Sequence, residues 1–361
     1  MNKKINKIKV AIGISGGVDS AVAAKILKDQ GCRVTGIFMT LYRELDLEEK
    51  QSSRQKALEV SETVGIEFKE IDYCDIFNKE VVSYFEHEYL RGMTPNPCVM
   101  CNAKIKFGIL MKDVLGAGYD YYSTGHYVRK VCTDGKWKLK RGIDAKKDQT
   151  YFLFRLKESM LEKILFPLGD IRKEEVFDIA VDMGFDMSGY GESQEICFVE
   201  NKAYAGTIKE KYSDQVKPGD ILDINGKCIG QHKGIPYYTI GKRKGMGIAA
   251  SQPIYVTGIN AENNTITAGP VDELYKEGLL FTDTSFVNEV PVAGNSYKIQ
   301  VRYNSEPVDV VYKGIEMCAD NESEIHVVEF DKKQKAIAPG QSAVLYHDDF
   351  VVGGGTIVES F

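Results

Sequence analysis

The sequence predicts an α/β domain built on a doubly wound parallel sheet, followed by a small mainly-β central domain and a C-terminal β-barrel. Two observations predict it. Strand and helix patterns alternate over the first two hundred residues, and strand-like runs such as "KVAIGI" are apolar throughout rather than alternating. Strands covered on both faces must read that way. Past about residue 205, short alternating runs take over, divided by Asn-Gly and Asn-Asn turn signals. The expected divisions are 1–204, 205–275 and 276–361.

Taken in order, "KVAIGI" is the first strand and "SAVAAKILKDQG" the first helix, closed by Gly31. "RVTGIFMT" is the second strand, "RQKALEVSETVG" a helix and "EFKEIDY" the third strand. "KIKFGILMKDVLGAG" has helical spacing and leads into a strand at "DYYSTGHYV". The central part begins with "KPGDILDINGKCIGQHKG" and "PIYVTGINAENNTITAGP". The barrel is expected from "YKIQVRYNSEPVDVVY", "EIHVVEF" and "QSAVLYHDDFVVGGGTIVES".

Composition narrows the function. Hydrophobic residues make up 43% of the 361 and charged residues 27%, ordinary values for a globular protein. A net charge of −6 argues against a non-specific nucleic-acid binder, though a local basic patch suffices for specific phosphate contacts. No apolar stretch approaches the ~20 residues of a membrane helix. The basic N-terminus leads into an apolar run that Ser15, Gly16, Gly17 and Asp19 interrupt, so it reads as a strand rather than a signal peptide. A cytoplasmic location is expected. Eight cysteines are too sparse for a disulfide scaffold, and a special pair among them points to catalysis or metal binding.

The first strand runs into "GISGGVDS", residues 13–20. Here Gly13, Ile14, Ser15, Gly16, Gly17, Val18, Asp19 and Ser20 form a strand-to-helix turn. Its glycine amides and serine hydroxyls can surround phosphate at a helix N-terminus. No Lys-Ser/Thr follows, so it is not a Walker loop, and the G-x-G-x-x-G dinucleotide fingerprint is absent. A Gly-Gly turn alone would be unremarkable, but SGGxDS after a first strand resembles the PP-loop of the ATP pyrophosphatase superfamily, a HUP-like fold. That resemblance implies cleavage of ATP to AMP and pyrophosphate, with Asp19 holding Mg²⁺ or orienting the phosphates. Met39 and Gly125 fall at the carboxyl ends of later strands, where such sheets bind ligands.

"TPNPCVMCNAKIKF" places Cys98 three residues before Cys101. Structural zinc needs two more ligands, and neither a second CxxC nor a metal-spaced pair among the five histidines exists. A thioredoxin-like switch lacks its fold context. Cys101 is expected just ahead of a helix carrying Lys104 and Lys106, an environment that lowers a thiol's pKa. Cys197, in "GESQEICFVE", cannot be paired with it from sequence. Cys32, Cys74, Cys132, Cys228 and Cys318 read as inert buried thiols.

Together, "GISGGVDSAVAA", "TPNPCVMCNAKIKF", "STGHYVR", "KKDQTYFLFRL", "LFPLGDIRKEEV", "SQEICF", "IGQHKGIPYYTIGKRKGMGI", "VRYNSEP" and "PGQSAVLY" resemble the bacterial tRNA-specific 2-thiouridylase family over nearly the whole chain. The resemblance implies 2-thiolation of the wobble uridine in a tRNA anticodon loop. ATP would adenylate the C2 oxygen. Cys197 would carry a persulfide loaded by a cysteine desulfurase or relay protein, and Cys101 would act as nucleophile on C2 or release the sulfur through a Cys101–Cys197 disulfide. By the same matching, Asn96, Pro97 and position 98 would contact the target base. Lys147, Asp148, Gln149, Arg302, Tyr303, His126 and Gln341 would contact tRNA. Lys242, Arg243 and Lys244 in "GKRKGMG" would add positive charge, or form a solvated basic turn.

The chain departs from that family at Cys98, where many members carry Asp. A thiol with a reference pKa of ~8.5 is mostly neutral at pH 7. Cys98, Cys101 and Cys197 would also suit a sulfur-carrying [4Fe–4S] cluster with one open iron position, and both donor chemistries stay open. The acidic "LYRELDLEEKQSS" after the second strand lacks the family's Cys and Asp positions. Two competitors remain: another ATP pyrophosphatase, which would not need Cys101 and Cys197, and a tRNA-binding or sulfur-relay adaptor with a vestigial nucleotide loop.

Overall fold

The computed structural model describes residues 7–42, 47–185, 196–199, 204–249, 252–317 and 324–361. Strands β1 (Lys9–Gly13), β2 (Arg33–Thr40), β3 (Glu67–Asp72) and β4 (Tyr121–Ser123) alternate with helices that include α1 (Val18–Asp29) and α2 (Leu47–Val64). A hairpin of β5 (Val128–Thr133) and β6 (Lys136–Arg141) precedes β7 (Ile164–Leu165). The parallel sheet runs β3-β2-β1-β4-β7. Val10 and Ile12 of β1 enter one core and Ala11 the other, all fully buried. That two-sided burial is why the run carries no polar alternation.

The acidic stretch after β2 enters α2 at Leu47, while residues 43–46 lie outside the described residues. One local expectation is corrected. The helix expected from Lys104 begins earlier, at Pro97, capped by Asn96, whose side chain accepts from the Val99 amide. An N-cap Asn followed by Pro at the first helical position is a start signal. The helix runs Pro97–Met100, loosens to π geometry over Cys101–Leu110 and tightens again at Met111–Gly116. Gly108 permits the widened turn, since a Cβ there would meet the Ala103 carbonyl at 2.8 Å.

The central sheet comprises β8 (Gly219–Leu222), β9 (Cys228–His232), β10 (Tyr255–Asn260) and β11 (Thr265–Gly269), in the order β10-β11-β8-β9. The last six strands are β12 (Tyr275–Phe286), β13 (Ser296–Gln300), β14 (Val308–Met317), β15 (Glu324–Lys335), β16 (Ser342–His347) and β17 (Phe350–Ser360). They follow the order β12-β15-β14-β13-β16-β17, and β12 pairs back onto β17 to close a six-stranded barrel. No helix among the described residues is long and apolar enough to cross a membrane.

The barrel grips the α/β domain just before the cysteine helix. Thr94 N donates to Pro339 O (2.7 Å) and Gln341 Nε2 to Thr94 O (2.8 Å). Between them Gly340 has φ +91°, and a Cβ there would lie 2.6 Å from the Thr94 nitrogen. Gly340→Ala is therefore expected to cost about 2–4 kcal/mol, combining left-handed strain with a backbone clash. Thermal unfolding of the purified variant checks this.

Candidate active site

The carboxyl ends of β1, β2 and β4 open into one cavity of about 470 Å³, within the range of small-molecule sites. Gly13, Ile14, Ser15, Asp19 and Ser20 line it at the nucleotide end, with Met39 and Gly125 beside them. Pro97, Cys98, Cys101 and Cys197 line the other end, with His126 and Gln149 along the wall. Sequence alone could not join Cys197 to the other two cysteines; the fold does.

At the nucleotide end, Gly16 takes φ +83°, and a Cβ would meet the Lys56 Cβ at 2.8 Å. Ser20 Oγ donates to Gly17 O at 2.8 Å, and Gly17 caps α1 with no side-chain hydrogen bond to the helix amides. Uncapped amides at a twelve-residue helix are suited to an anion. Gly125 presses on the loop from β4: a Cβ would approach the Asp19 carbonyl carbon at 2.9 Å and the Ser20 nitrogen at 3.0 Å. The Val18 side chain packs into the core of the α/β domain rather than lining the cavity. These features fit a nucleotide triphosphate.

Asp19 Oδ1 accepts from the Tyr127 hydroxyl and from Lys173 Nζ, each at 2.6 Å. Lys173 is buried at the start of the helix Lys173–Asp182. Neither partner was singled out from sequence, although Lys173 lies within "LFPLGDIRKEEV". The 154-residue separation hides the ion pair.

At the sulfur end, Phe198 packs edge-on against Phe77 (5.8 Å) and Phe85 (5.1 Å), which anchors the Cys197 turn. The Tyr42 hydroxyl donates to Cys197 Sγ at 2.6 Å. Burial raises the Tyr42 phenol far above its ordinary value, with Cys197 adding to the shift, so it stays a neutral donor. The expectation of an acidic Cys101 is corrected. Burial pushes its thiol up to about 12 and that of Cys98 to about 11, against the opposing field of Lys106. Cys101 sits a full turn inside the helix rather than at its end, and Lys104 is exposed and does not perturb it.

Lys106→Met removes the cation that opposes that burial, so alkylation of both thiols should be about tenfold slower at a given pH. Alkylation of Cys98 and Cys101 followed against pH, with peptide mass spectrometry to assign each site, checks the direction. Cys132 and Cys228 are exposed rather than buried and serve as internal references. The seven described cysteines are free, Cys74 is buried and Cys32 partly so; Cys318 lies outside the described residues.

Cys98, Cys101 and Cys197 share the cavity. Among the described residues, however, no three His, Cys, Asp or Glu side chains are disposed to hold one metal ion. Three thiols in one cavity match a cluster's donor chemistry, one thiolate to each of three irons, and the iron measurement described below decides between a cluster and a cysteine relay.

Several residues expected to meet tRNA have other partners. Asp148 is buried and accepts from Arg141 Nε (3.1 Å), Gly142 N (3.0 Å) and Thr150 Oγ1 (2.6 Å). It braces its loop and cannot face RNA. Gln341 is held on Thr94, and Asn96 caps the cysteine helix. Gln149 reaches the cavity while its Oε1 accepts from Tyr127 N at 3.0 Å. His126 Nδ1 lies 2.7 Å from Thr124 Oγ1, and burial holds the imidazole well below its ordinary pKa, so it is neutral and offers no charge to phosphate.

Tyr303 packs against Phe152 with ring centroids 4.3 Å apart and the planes tilted by 39°, and burial lowers the pKa of the half-buried Arg302 guanidinium. This barrel turn stands beside the cysteine helix, because Asn102 Nδ2 donates to Phe152 O at 3.4 Å. Lys147 is partly exposed. In "GKRKGMG", Lys242 turns inward to the Tyr237 carbonyl, while Arg243 and Lys244 are exposed.

Residues 8–201 match the family model described as "tRNA methyl transferase HUP domain", 207–270 the "tRNA methyl transferase PRC-barrel domain" and 276–357 the "Aminomethyltransferase beta-barrel domain". The tRNA-specific 2-thiouridylase MnmA of Carboxydothermus hydrogenoformans is 41% identical over 98% of both chains. The chain belongs to the tRNA-specific 2-thiouridylase family. Another member, from Clostridium perfringens (strain 13 / Type A), is 39% identical over 99% of both chains, and MnmA 2 of Thermoanaerobacter sp. is 41% identical over 97% of both.

Proposed function

We propose that the protein is an ATP-dependent tRNA 2-thiouridylase acting on the wobble uridine, with Cys101 and Cys197 transferring the sulfur. The observation that carries this reading is the single cavity running from the PP-loop to those two cysteines. Adenylation and sulfur attack must occur at the same carbon, so a nucleotide cradle and a sulfur site have to meet in one enclosed space.

When bound, ATP would supply an activated adenylyl group at its α-phosphate, with pyrophosphate as the leaving group. The uncapped amides of α1 and the Gly16–Gly17 backbone hold its phosphates. Mg²⁺ is expected to arrive with the triphosphate, since Asp19 already carries Lys173. A uridine splayed from the anticodon loop enters past Pro97 and Cys98. Arg302, Tyr303, Arg243, Lys244 and Lys147 are the residues left to engage the tRNA outside the cavity.

The sulfur steps balance without a metal. An external donor, a cysteine desulfurase or relay protein, leaves a persulfide on Cys197. Its terminal sulfur forms a bond to C2, and the C2–O2 bond breaks with O2 departing on AMP. The Cys101 thiolate then attacks Cys197 Sγ, breaking the S–S bond and releasing the thiocarbonyl. The resulting Cys101–Cys197 disulfide is restored by a thiol reductant. Burial raises the Cys101 thiol, and the proton it gives up is taken by N3 of the released 2-thiouridine as the thiocarbonyl forms, so the step balances without a further base.

The test is isotopic: with labelled oxygen at C2 of the target uridine, released AMP should carry the label. AMP without label would overturn adenylation of that oxygen. Iron and labile sulfide are measured on anaerobically purified protein; activity from iron-free protein is expected, and activity strictly proportional to iron would contradict the cysteine relay.

A further inference from the structure

The cavity wall contains a hydroxyl that neither the nucleotide cradle nor the cysteine relay uses. Tyr122 is the second residue of β4, and its side chain is fully buried. It lines the cavity, yet its hydroxyl has no hydrogen-bond partner among the described residues. Burying an unpaired hydroxyl costs stability that phenylalanine would not. The ring itself is well packed, edge-on to Phe107 at 5.6 Å, so packing alone does not require an oxygen there.

The location of the hydroxyl indicates what it could serve. It stands next to Gly13, the last residue of β1 before the PP-loop: a Cβ built on Gly13 would lie 3.3 Å from it. It is also close enough to Cys101 for the two groups to influence each other's charge. Gly13 marks the nucleotide end and Cys101 the sulfur end. The oxygen that leaves C2 with AMP must lie between an α-phosphate on one side and an attacking sulfur on the other. It gains negative charge as the C2–O2 bond breaks.

We propose that Tyr122 is a catalytic residue whose hydroxyl donates a hydrogen bond to the departing uracil O2 of the adenylated intermediate. This rests on the thiouridylase reading above. The phenol is pushed well above its ordinary pKa by burial, so it remains a donor throughout the working pH range. A donor aimed at charge that develops only in the transition state accelerates the step without tightening substrate binding.

Tyr122→Phe removes one oxygen and leaves the ring. Single-turnover reactions with ATP, tRNA and persulfide-loaded protein would follow pyrophosphate, AMP and 2-thiouridine separately, with thermal unfolding measured alongside. The variant should melt at the wild-type temperature or above and release pyrophosphate at the wild-type rate. AMP and 2-thiouridine should appear about 10- to 100-fold more slowly, the range of a hydrogen bond to a charged group. Unchanged AMP release would overturn the assignment. So would equal slowing of pyrophosphate and AMP, or a lowered melting temperature, either of which would mark Tyr122 as a structural residue. If the wild-type protein itself forms no 2-thiouridine, the parent reading fails and this one falls with it; an active wild type with an equally active variant rejects Tyr122 alone.

Discussion

Cys197→Ser should lower tRNA thiolation by on the order of a thousandfold or more, the scale seen when a covalent nucleophile is removed. The side chain is nearly isosteric, and Phe198 rather than the thiol anchors the turn in its aromatic pocket. Folding, ATP binding and tRNA binding should therefore persist. The measurement is 2-thiouridine per tRNA alongside filter binding of the same tRNA. Pyrophosphate release should survive too, because adenylation precedes sulfur attack. Another ATP pyrophosphatase activity would leave Cys197→Ser with its full product yield, and a binding adaptor would never have had one. The same substitution thus separates all three readings.

Gly125→Ala should reduce kcat/KM for ATP by roughly 10- to 100-fold, since small displacements of a reacting group carry penalties of that size. The added methyl would press on the Asp19 carbonyl carbon at 2.9 Å and the Ser20 nitrogen at 3.0 Å. Those are backbone atoms and cannot rotate away. The loop must shift instead, carrying the α1 amides off the phosphates. Stability should fall by about 1–3 kcal/mol, the usual cost of overpacking. Substitution at exposed Gly116, where a Cβ meets nothing within 4 Å and φ is not positive, offers a control for glycine loss remote from the loop.

Local patterns carried much of this structure into the sequence. β1 is apolar on consecutive residues because both of its faces are covered, and that makes a parallel sheet readable. The Gly16–Gly17 turn is readable because few residues tolerate φ +83° beside a packed helix. The start of the cysteine helix was legible in principle from Asn96-Pro97, but the run of apolar periodicity from Lys104 drew the boundary too late.

What sequence could not supply is long-range placement. Tyr42 meets Cys197 across 155 residues and Lys173 meets Asp19 across 154. Burial is likewise a property of the fold. Lys106 near Cys101 suggested an activated thiol, yet desolvation outweighs the cation and raises the pKa. Asp148 was expected to contact tRNA from the family resemblance of the "KKDQT" run. It is instead an acceptor for its own loop, and its neighbours explain why that position must be a carboxylate.

The most direct test of the account is nucleoside mass spectrometry of tRNA incubated with the purified protein, Mg²⁺, ATP and a persulfide donor, with and without ATP, beside Cys101→Ser. The account expects 2-thiouridine at the wobble position only when ATP is present, and its loss in the variant. Thiolation without ATP, or undiminished thiolation by Cys101→Ser, would contradict the claim that the PP-loop and the two cysteines form one active site.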